Sequence, residues 1–274
     1  MKIASSIQLI LIVGLICSFS ALHLDSLSSM VALWSGSAYS HCYIVPLISF
    51  YFLWRDRQES LMEPWQGSYV GAFALLVTTS GLAAAQISLI QLLEHIFFVA
   101  SLSSLLWCIA GDRFMVKNWF PLLFLGFCVP TGDTLVPVLQ AITADLCTAG
   151  LSLLGIPAYR EGMIIQLTAG QFEVARACSG FRYLNAGLAL GAVLAYSNFR
   201  KLSSMALFIA FVIIVFVFMN GLRAFITILV AAVSDMQYMT GEDHIYLGYV
   251  FFIIAIFGVY KVASRFGTRW TQSA

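Results

Sequence analysis

Residues 203–221 read SSMALFIAFVIIVFVFMNG, a run without a charged side chain. A helix needs about 20 mostly apolar residues to cross the roughly 30 Å hydrocarbon core of a bilayer, so this run predicts a membrane-spanning helix. The rest of the chain is similar, because 61% of its 274 residues are apolar, 10% are charged and the mean hydropathy is +0.91. Soluble proteins are only about 45–50% apolar, so the natural solvent for this surface is lipid.

Seven further stretches have comparable length and apolarity. Together they predict eight spans, at residues 3–22, 37–54, 67–86, 89–110, 119–138, 182–199, 203–221 and 244–260. The first stretch also resembles a signal peptide, but we interpret it as a retained helix because retention agrees with the charge distribution. The sequence has no internal repeat or linker, so we predict one all-α membrane domain over residues 1–274.

Basic residues are distributed unevenly between the predicted loops. Ten of the 14 lie on the side of the N-terminus: Lys2, Arg55, Arg57, Arg113, Lys117, Arg200, Lys201, Lys261, Arg265 and Arg269. Because cytoplasmic loops are enriched in Lys and Arg, we predict that both termini are cytoplasmic. The formal net charge of +1 gives no indication of a nucleic-acid partner.

The longest predicted outer segment covers residues 131–181. Its apolar first half, residues 135–154, is expected to lie along the interface or to re-enter the membrane. In its second half, residues 163–167 and 172–176 are compatible with β-strands and flank Thr168, Ala169 and Gly170. This pattern predicts a small extracytoplasmic β-hairpin.

Three residues whose side chains could take part in catalysis lie at the outer ends of predicted spans. Cys178 begins one span, Arg223 ends another and His244 begins the last. A cysteine at a helix N-terminus near positive charge is activated as a thiolate nucleophile. A histidine transfers protons near neutral pH, and an arginine donates hydrogen bonds to an oxyanion. The trio fits acyl transfer through a thioester.

Each of these residues also has a structural interpretation. A single membrane cysteine usually packs like a small hydrophobe, and a single arginine at a helix end usually extends to the headgroups. Convergence of all three on one side of the membrane favours the catalytic interpretation.

Short motifs around these residues resemble those of the exosortase/archaeosortase family. The sequence EVARACSG at residues 173–180 resembles the cysteine motif of that family, and NGLR at residues 220–223 resembles its arginine motif. His244 followed by Gly248 is similar to its histidine motif. Two earlier segments, within residues 39–55 and 155–162, extend the resemblance to about residues 35–260. Cys42 departs from the pattern, since glycine is expected there.

The resemblance implies a membrane cysteine peptidase or transpeptidase that processes secreted proteins. Its substrates would end in a Pro-Glu-Pro-type motif, a transmembrane helix and a basic tail, and an acceptor molecule would take the acyl group. Cys178, Arg223 and His244 would be catalytic. Asn220, Ser179 and His41 are candidates for supporting roles, although a helix-end histidine such as His41 is commonly interfacial.

Two other function classes compete with this interpretation. A multispan transporter or a component of an export machinery would place Arg223 and His244 in a substrate path, but paired halves and matching broken helices are not evident. A serine-type intramembrane protease would use Ser179, but the Gly-x-Ser-x-Gly pattern is missing. We predict no cofactor and no metal, because no Cys, His, Asp or Glu cluster has metal-ligand spacing.

Overall fold

A computed structural model of the chain describes residues 2–36, 38–55, 65–131, 134–234, 237–238 and 243–267, and of residues 2–6, 9, 243 and 244 it describes the backbone alone. The chain divides into two compact units, residues 1–131 and residues 132–274. The single domain predicted over residues 1–274 stays a prediction.

The first unit is helical in its described residues. Its α-helices are α1 (Lys2–Leu22), α2 (Leu24–Trp34), α3 (Val45–Arg55), α4 (Tyr69–Ile87), α5 (Gln91–Ala110), α6 (Asp112–Lys117) and α7 (Trp119–Phe124). Short 3-10 helices lie at Ser40–Tyr43 and Leu125–Cys128.

The second unit combines long helices with a small sheet. Its elements are α8 (Val136–Leu153), β1 (Tyr159–Glu161), β2 (Ile164–Leu167), β3 (Gly170–Glu173), a 3-10 helix at Arg176–Ser179, α9 (Phe181–Asn198), α10 (Leu202–Val233) and α11 (Asp243–Phe266).

Several of these helices are long and apolar enough to cross a bilayer. Among the described residues there are five, namely Tyr69–Ile87, Gln91–Ala110, Val136–Leu153, Leu202–Val233 and Ile245–Phe266. The pair Ile10–Leu22 and Leu24–Trp34, bent by 92°, makes a sixth span if it is counted as one. The protein is therefore a multi-pass membrane protein, and the count of eight spans stays a prediction.

Two of the predicted spans are interrupted. In the span predicted at residues 37–54, the α-helix begins only at Val45, and the whole helix Val45–Arg55 has 11 residues, which reach about 16 Å. Within residues 119–138, helix α7 passes into a 3-10 turn that ends at Cys128. Val129 is extended (φ −82°, ψ 122°), as expected for a residue that precedes a proline.

Two other segments are longer than the sequence predicted or take a different form. Residues 135–154 are predicted to lie along the interface or to re-enter the membrane, yet α8 has 18 residues, about 27 Å, and is long enough to span. The seventh predicted span ended at residue 221, whereas α10 continues unbroken to Val233 over 32 residues. The extension follows from a second apolar, proline-free run, AFITILVAAV, directly after Arg223.

The predicted β-hairpin is present with one additional strand, but its second strand covers Gly170–Glu173 and not the predicted residues 172–176. Strands β2 and β3 pair antiparallel around Thr168 and Ala169, with Leu167 opposite Gly170. Strand β1 pairs antiparallel with β2 across a two-residue turn that contains Gly162 at φ +61°. The sequence did not predict β1, because its three residues are too few to show an alternating pattern.

One apolar cluster joins the sheet to two helices of the second unit. Its buried members are Ala144, Cys147, Leu151, Ile165, Val174, Ala224 and Ile228. They come from α8, from the inner face of the sheet and from the part of α10 beyond Arg223. The sheet is therefore attached to the end of α10 that follows the predicted arginine.

In the first unit, polar contacts secure α2, the helix that follows the 92° bend. Ser26 Oγ donates a hydrogen bond to Glu94 Oε1 at 2.5 Å, and Ser29 Oγ lies 2.9 Å from His95 Nε2. At the other end of α2, the indole Nε1 of Trp34 donates to the backbone carbonyl of Cys128 at 2.8 Å. These bonds hold α2 against α5 and against the interrupted segment.

We expect Trp34→Phe to destabilise the protein by about 1–3 kcal/mol, because it leaves the buried Cys128 carbonyl without its donor. The matched control is Trp107→Phe, since the Trp107 indole donates to the exposed Asp112 carboxylate, where water replaces it. Thermal unfolding in detergent measures both changes. Equal midpoints for the two variants would contradict the role of the Trp34 bond.

Candidate functional site

Cys178 lies in a short 3-10 helix immediately after the sheet. Val174 donates its backbone N–H to Met163 O at 2.8 Å, and Gln140 Nε2 of α8 donates to Val174 O at 2.7 Å. The Cys178 N–H then donates to Ala175 O at 2.8 Å. These bonds fix the turn, so the half-buried Cys178 is held between strand β3 and helix α9.

Gly180 lets the chain turn from the 3-10 helix into α9. Its φ of +77° is left-handed, a conformation that favours glycine. A Cβ at this position would lie 2.3 Å from Asn220 Cγ, so the close approach of α10 also requires glycine. Gly180 therefore brings Cys178 to the N-terminus of α9 and beside α10.

Two side chains of α10 meet the backbone of Cys178. Asn220 Nδ2 donates to Cys178 O at 3.0 Å and to Thr143 Oγ1 at 3.1 Å, while Arg223 Nη2 donates to Cys178 O at 3.4 Å. Asn220 and Arg223 are each only 5% exposed. The structure thus brings together Cys178, Arg223 and Asn220 of the predicted site.

The buried arginine has hydrogen-bonding capacity left over. Within the described part of the chain, Arg223 Nε and Asn220 Oδ1 have no hydrogen-bond partner. A buried guanidinium is costly unless it is paired, and buried polar groups are nearly always bonded. This arrangement can stabilise negative charge that develops next to Cys178.

Tyr183 is a site residue that the sequence did not single out. Its ring centroid lies 6.0 Å from Arg223 Cζ and 4.9 Å from Arg182 Cζ, and Arg182 Nη2 donates to its hydroxyl at 3.0 Å. The ring also lies 5.1 Å from that of Phe252 on α11. With 22 Phe and 11 Tyr in the chain, no sequence signal distinguished Tyr183 from the aromatic background.

Gly248 is where α11 approaches this group. A Cβ there would lie 2.4 Å from the Tyr183 hydroxyl and 3.6 Å from Arg223 Cδ. The missing side chain therefore allows the Tyr183 ring to fit against α11. Gly248 belongs to the predicted histidine motif, and the packing gives that glycine a physical reason.

His244 is the second residue of α11, one helical turn before Gly248 and on the same side of the helix. Its side chain lies outside the described residues, so the catalytic role of His244 stays a prediction.

The two other candidates for supporting roles have different surroundings. Ser179 is 3% exposed, and its Oγ accepts a hydrogen bond from Phe181 N–H at 3.3 Å. That buried position at the start of α9 suits a structural role better than a nucleophile. His41 belongs to the first unit, where its Nε2 lies 3.8 Å from Cys42 Sγ. Among the described residues, no group of three His, Cys, Asp or Glu side chains is placed to hold a metal ion.

Comparison with known proteins identified one family. The model of the family described as transmembrane exosortase matches residues 33–260. The matched region includes both the cysteine turn and the helices that surround it. No curated protein and no solved structure gave a match.

Gly180→Ala tests the approach of α10 to the cysteine turn. The variant combines the strain of a left-handed alanine, about 1–2 kcal/mol, with a collision against Asn220. Gly155→Ala is the matched control, because Gly155 has a similar φ of +73° but open space where the Cβ would be. We expect a clearly larger fall in the thermal unfolding midpoint for Gly180→Ala. If the unfolding midpoints of both variants fall equally, the inference that Gly180 closely contacts Asn220 is wrong.

Proposed function

Because this chain belongs to the transmembrane exosortase family, we propose that it is a membrane-embedded cysteine transpeptidase that cleaves C-terminal sorting signals of secreted proteins. The observation that carries this proposal is the contact of the Cys178 carbonyl with Asn220 and Arg223. A candidate nucleophile whose backbone is bonded to a buried, incompletely bonded cation supports acyl transfer at this position. The family match and this contact come from independent sources.

The reaction begins with the thiolate of Cys178. It attacks the carbonyl carbon of the scissile peptide bond and forms a tetrahedral oxyanion. The C–N bond then breaks, the leaving amine takes a proton from His244, and the acyl group remains on sulfur as a thioester. An acceptor nucleophile attacks the thioester, gives its proton to His244 and releases the thiolate. Cleavage and transfer thus balance without a redox partner.

In this mechanism Arg223 stabilises the oxyanion by donating hydrogen bonds to it. A planar guanidinium presents several N–H donors in fixed directions, and a buried position strengthens their electrostatic effect. One donor group of Arg223 holds the Cys178 turn, and its Nε is unpartnered within the described residues. Tyr183 supports the guanidinium through its ring face.

The length of α10 supports a site at the membrane boundary. From Leu202 to Arg223 there are 223 − 202 = 21 residue steps, which rise about 32 Å in an α-helix. This matches the roughly 30 Å hydrocarbon core, so a helix that enters at Leu202 brings Arg223 to the opposite surface. Residues 200 and 201 are basic, which assigns this end of α10 to the cytoplasmic side. The site at the other end of the span therefore faces outward.

This location suits a substrate that is itself anchored in the bilayer. A secreted protein with a Pro-Glu-Pro-type motif, a transmembrane helix and a basic tail holds the bond before its helix at the membrane surface. Lateral diffusion then brings that bond to Cys178 at a high effective concentration. We place the enzyme in the bacterial inner membrane with both termini in the cytoplasm.

Arg223→Lys tests the role assigned to the guanidinium. The lysine keeps the positive charge but loses the planar fork, so we expect cleavage of a tailed substrate to fall about 100-fold, as for loss of an oxyanion donor. Arg160→Lys is the control, because Arg160 pairs with the exposed Asp145. Membrane levels of both variants should equal wild type. Normal processing by Arg223→Lys would show that only the positive charge is required, and the oxyanion role of the guanidinium would be wrong.

Replacement of the nucleophile gives the decisive measurement. Cys178→Ala and Cys178→Ser should each lower cleavage of the tailed substrate by roughly a thousandfold or more, because a serine hydroxyl is barely ionised near neutral pH. Cys108→Ala, at another half-buried cysteine, should retain activity. Wild-type protein should also accumulate a hydroxylamine-sensitive adduct at Cys178. Full processing by the alanine variant would favour the transporter interpretation.

A further inference from the structure

The sheet that precedes Cys178 has a defined hydrogen-bonding pattern. Val174 N–H donates to Met163 O, its partner in the β2–β3 register. In an antiparallel pair, bonded and non-bonded residue pairs alternate. Phe172 and Gly170 therefore also direct their backbone groups toward β2, and Gln171 and Glu173 direct theirs toward the opposite, outer edge.

Within the described part of the chain, most of these outward groups have no backbone partner. The Glu173 carbonyl accepts a hydrogen bond from Ala175 N–H at 2.9 Å. The Gln171 N–H, the Gln171 carbonyl and the Glu173 N–H have no backbone partner among the described residues. Both side chains are exposed, so the β3 edge is open to another extended chain.

The opposite edge of the sheet is different. The outward-facing residue of β1 is Arg160, whose guanidinium pairs with Asp145 of α8 and donates to Gly162 O at 2.8 Å. A charged side chain at an edge disfavours strand addition. Within the described residues, the outward residue of β1 thus carries an ion pair, whereas Gln171 and Glu173 of β3 carry none.

The open edge has a fixed position relative to the candidate nucleophile. Phe172 and Ile165 on the inner face pack into the cluster with Ala224 and Ile228, which follow Arg223 on the same helix. From Glu173 the chain reaches Cys178 in five residues, at most about 17 Å. A peptide paired with β3 is therefore held within about 17 Å of Cys178.

We propose that the open edge of β3 is the docking site for the substrate polypeptide. An extended segment that adjoins the scissile bond pairs with Gln171 and Glu173 as a fourth strand, and its continuation lies at Cys178. Main-chain hydrogen bonds provide the affinity in strand addition, so the enzyme can accept differing side chains around the bond. This inference rests on the proposed function, because it assigns the edge to the substrate of that reaction.

Disulfide capture tests the pairing directly. The Gln171→Cys change is made in the Cys178→Ala chain, which should bind a tailed substrate without cleaving it. Substrate versions carry single cysteines at successive positions around the motif. Adjacent strands bring opposed Cα atoms within disulfide range, and side chains on one face recur at every second residue. We therefore expect disulfides at alternate substrate positions.

Gln166→Cys provides the matched control. Gln166 is the register partner of Gln171 on β2 and shares its outer face, but it lies one strand farther from the edge. An added strand would be about 10 Å away, beyond disulfide reach. Capture at consecutive positions, equal capture by both variants, or a disulfide between two copies of the chain would overturn the proposal.

A second pair of variants distinguishes the contribution of the Gln171 backbone N–H to substrate binding from that of its side chain. Gln171→Pro removes one outward N–H without removing a bond to β2, and edge strands tolerate proline. We expect a KM about tenfold higher than that of wild type for Gln171→Pro, and a smaller rise for Gln171→Ala, which keeps the N–H. Equal KM values for the two variants would contradict strand pairing. Thermal unfolding tests whether both variants are folded. If the proline variant does not fold, the disulfide capture experiment still decides the proposal.

The two proposals fail in different ways. If wild-type protein cleaves through Cys178 but capture at Gln171→Cys does not alternate, the docking edge is wrong and the proposed function stands. If capture alternates but wild-type protein does not cleave, the edge binds this polypeptide and the proposed reaction is wrong.

Discussion

The carbonyl oxygen of Cys178 accepts hydrogen bonds from Asn220 and Arg223, two side chains one turn apart on α10. A guanidinium in an otherwise apolar helix is costly in a membrane, and such residues usually pair with one another or with backbone carbonyls. Here the pairing partner is the cysteine turn itself. The interaction therefore stabilises the buried charge and, in the same step, places Cys178 beside it.

The surrounding elements position the cysteine turn and leave the space that this contact needs. The turn is closed by Gln140 and by the sheet, and Gly180 supplies both the left-handed backbone and the space that Asn220 occupies. On the other side, Tyr183 supports the guanidinium and Gly248 makes room for the tyrosine ring. Small residues at helix contacts allow close approach in membranes, where apolar packing alone gives little preference between helices.

A site with this construction suits peptide-bond chemistry at a bilayer surface. Cys178, the proposed nucleophile, is half-buried and Arg223 is almost fully buried, so in the proposed reaction the charge that develops beside them would be shielded from water. Lipid restricts a helix-anchored substrate to the plane of the membrane, and pairing with β3 would further restrict the direction of its backbone. Each restriction lowers the entropy lost when the scissile bond is positioned at Cys178.

Local patterns in the sequence determined the membrane class, the helices over 67–86, 89–110, 203–221 and 244–260, and the β2–β3 hairpin, because hydropathy and turn chemistry act over short stretches. The motifs also named Cys178, Arg223 and Asn220 as site residues. Only the tertiary structure decided that the cysteine carbonyl is the partner of Arg223, that Tyr183 joins the site and that β1 completes the sheet. Those features depend on contacts between residues such as 178 and 223, and no local pattern encodes which of many similar apolar surfaces will pack together.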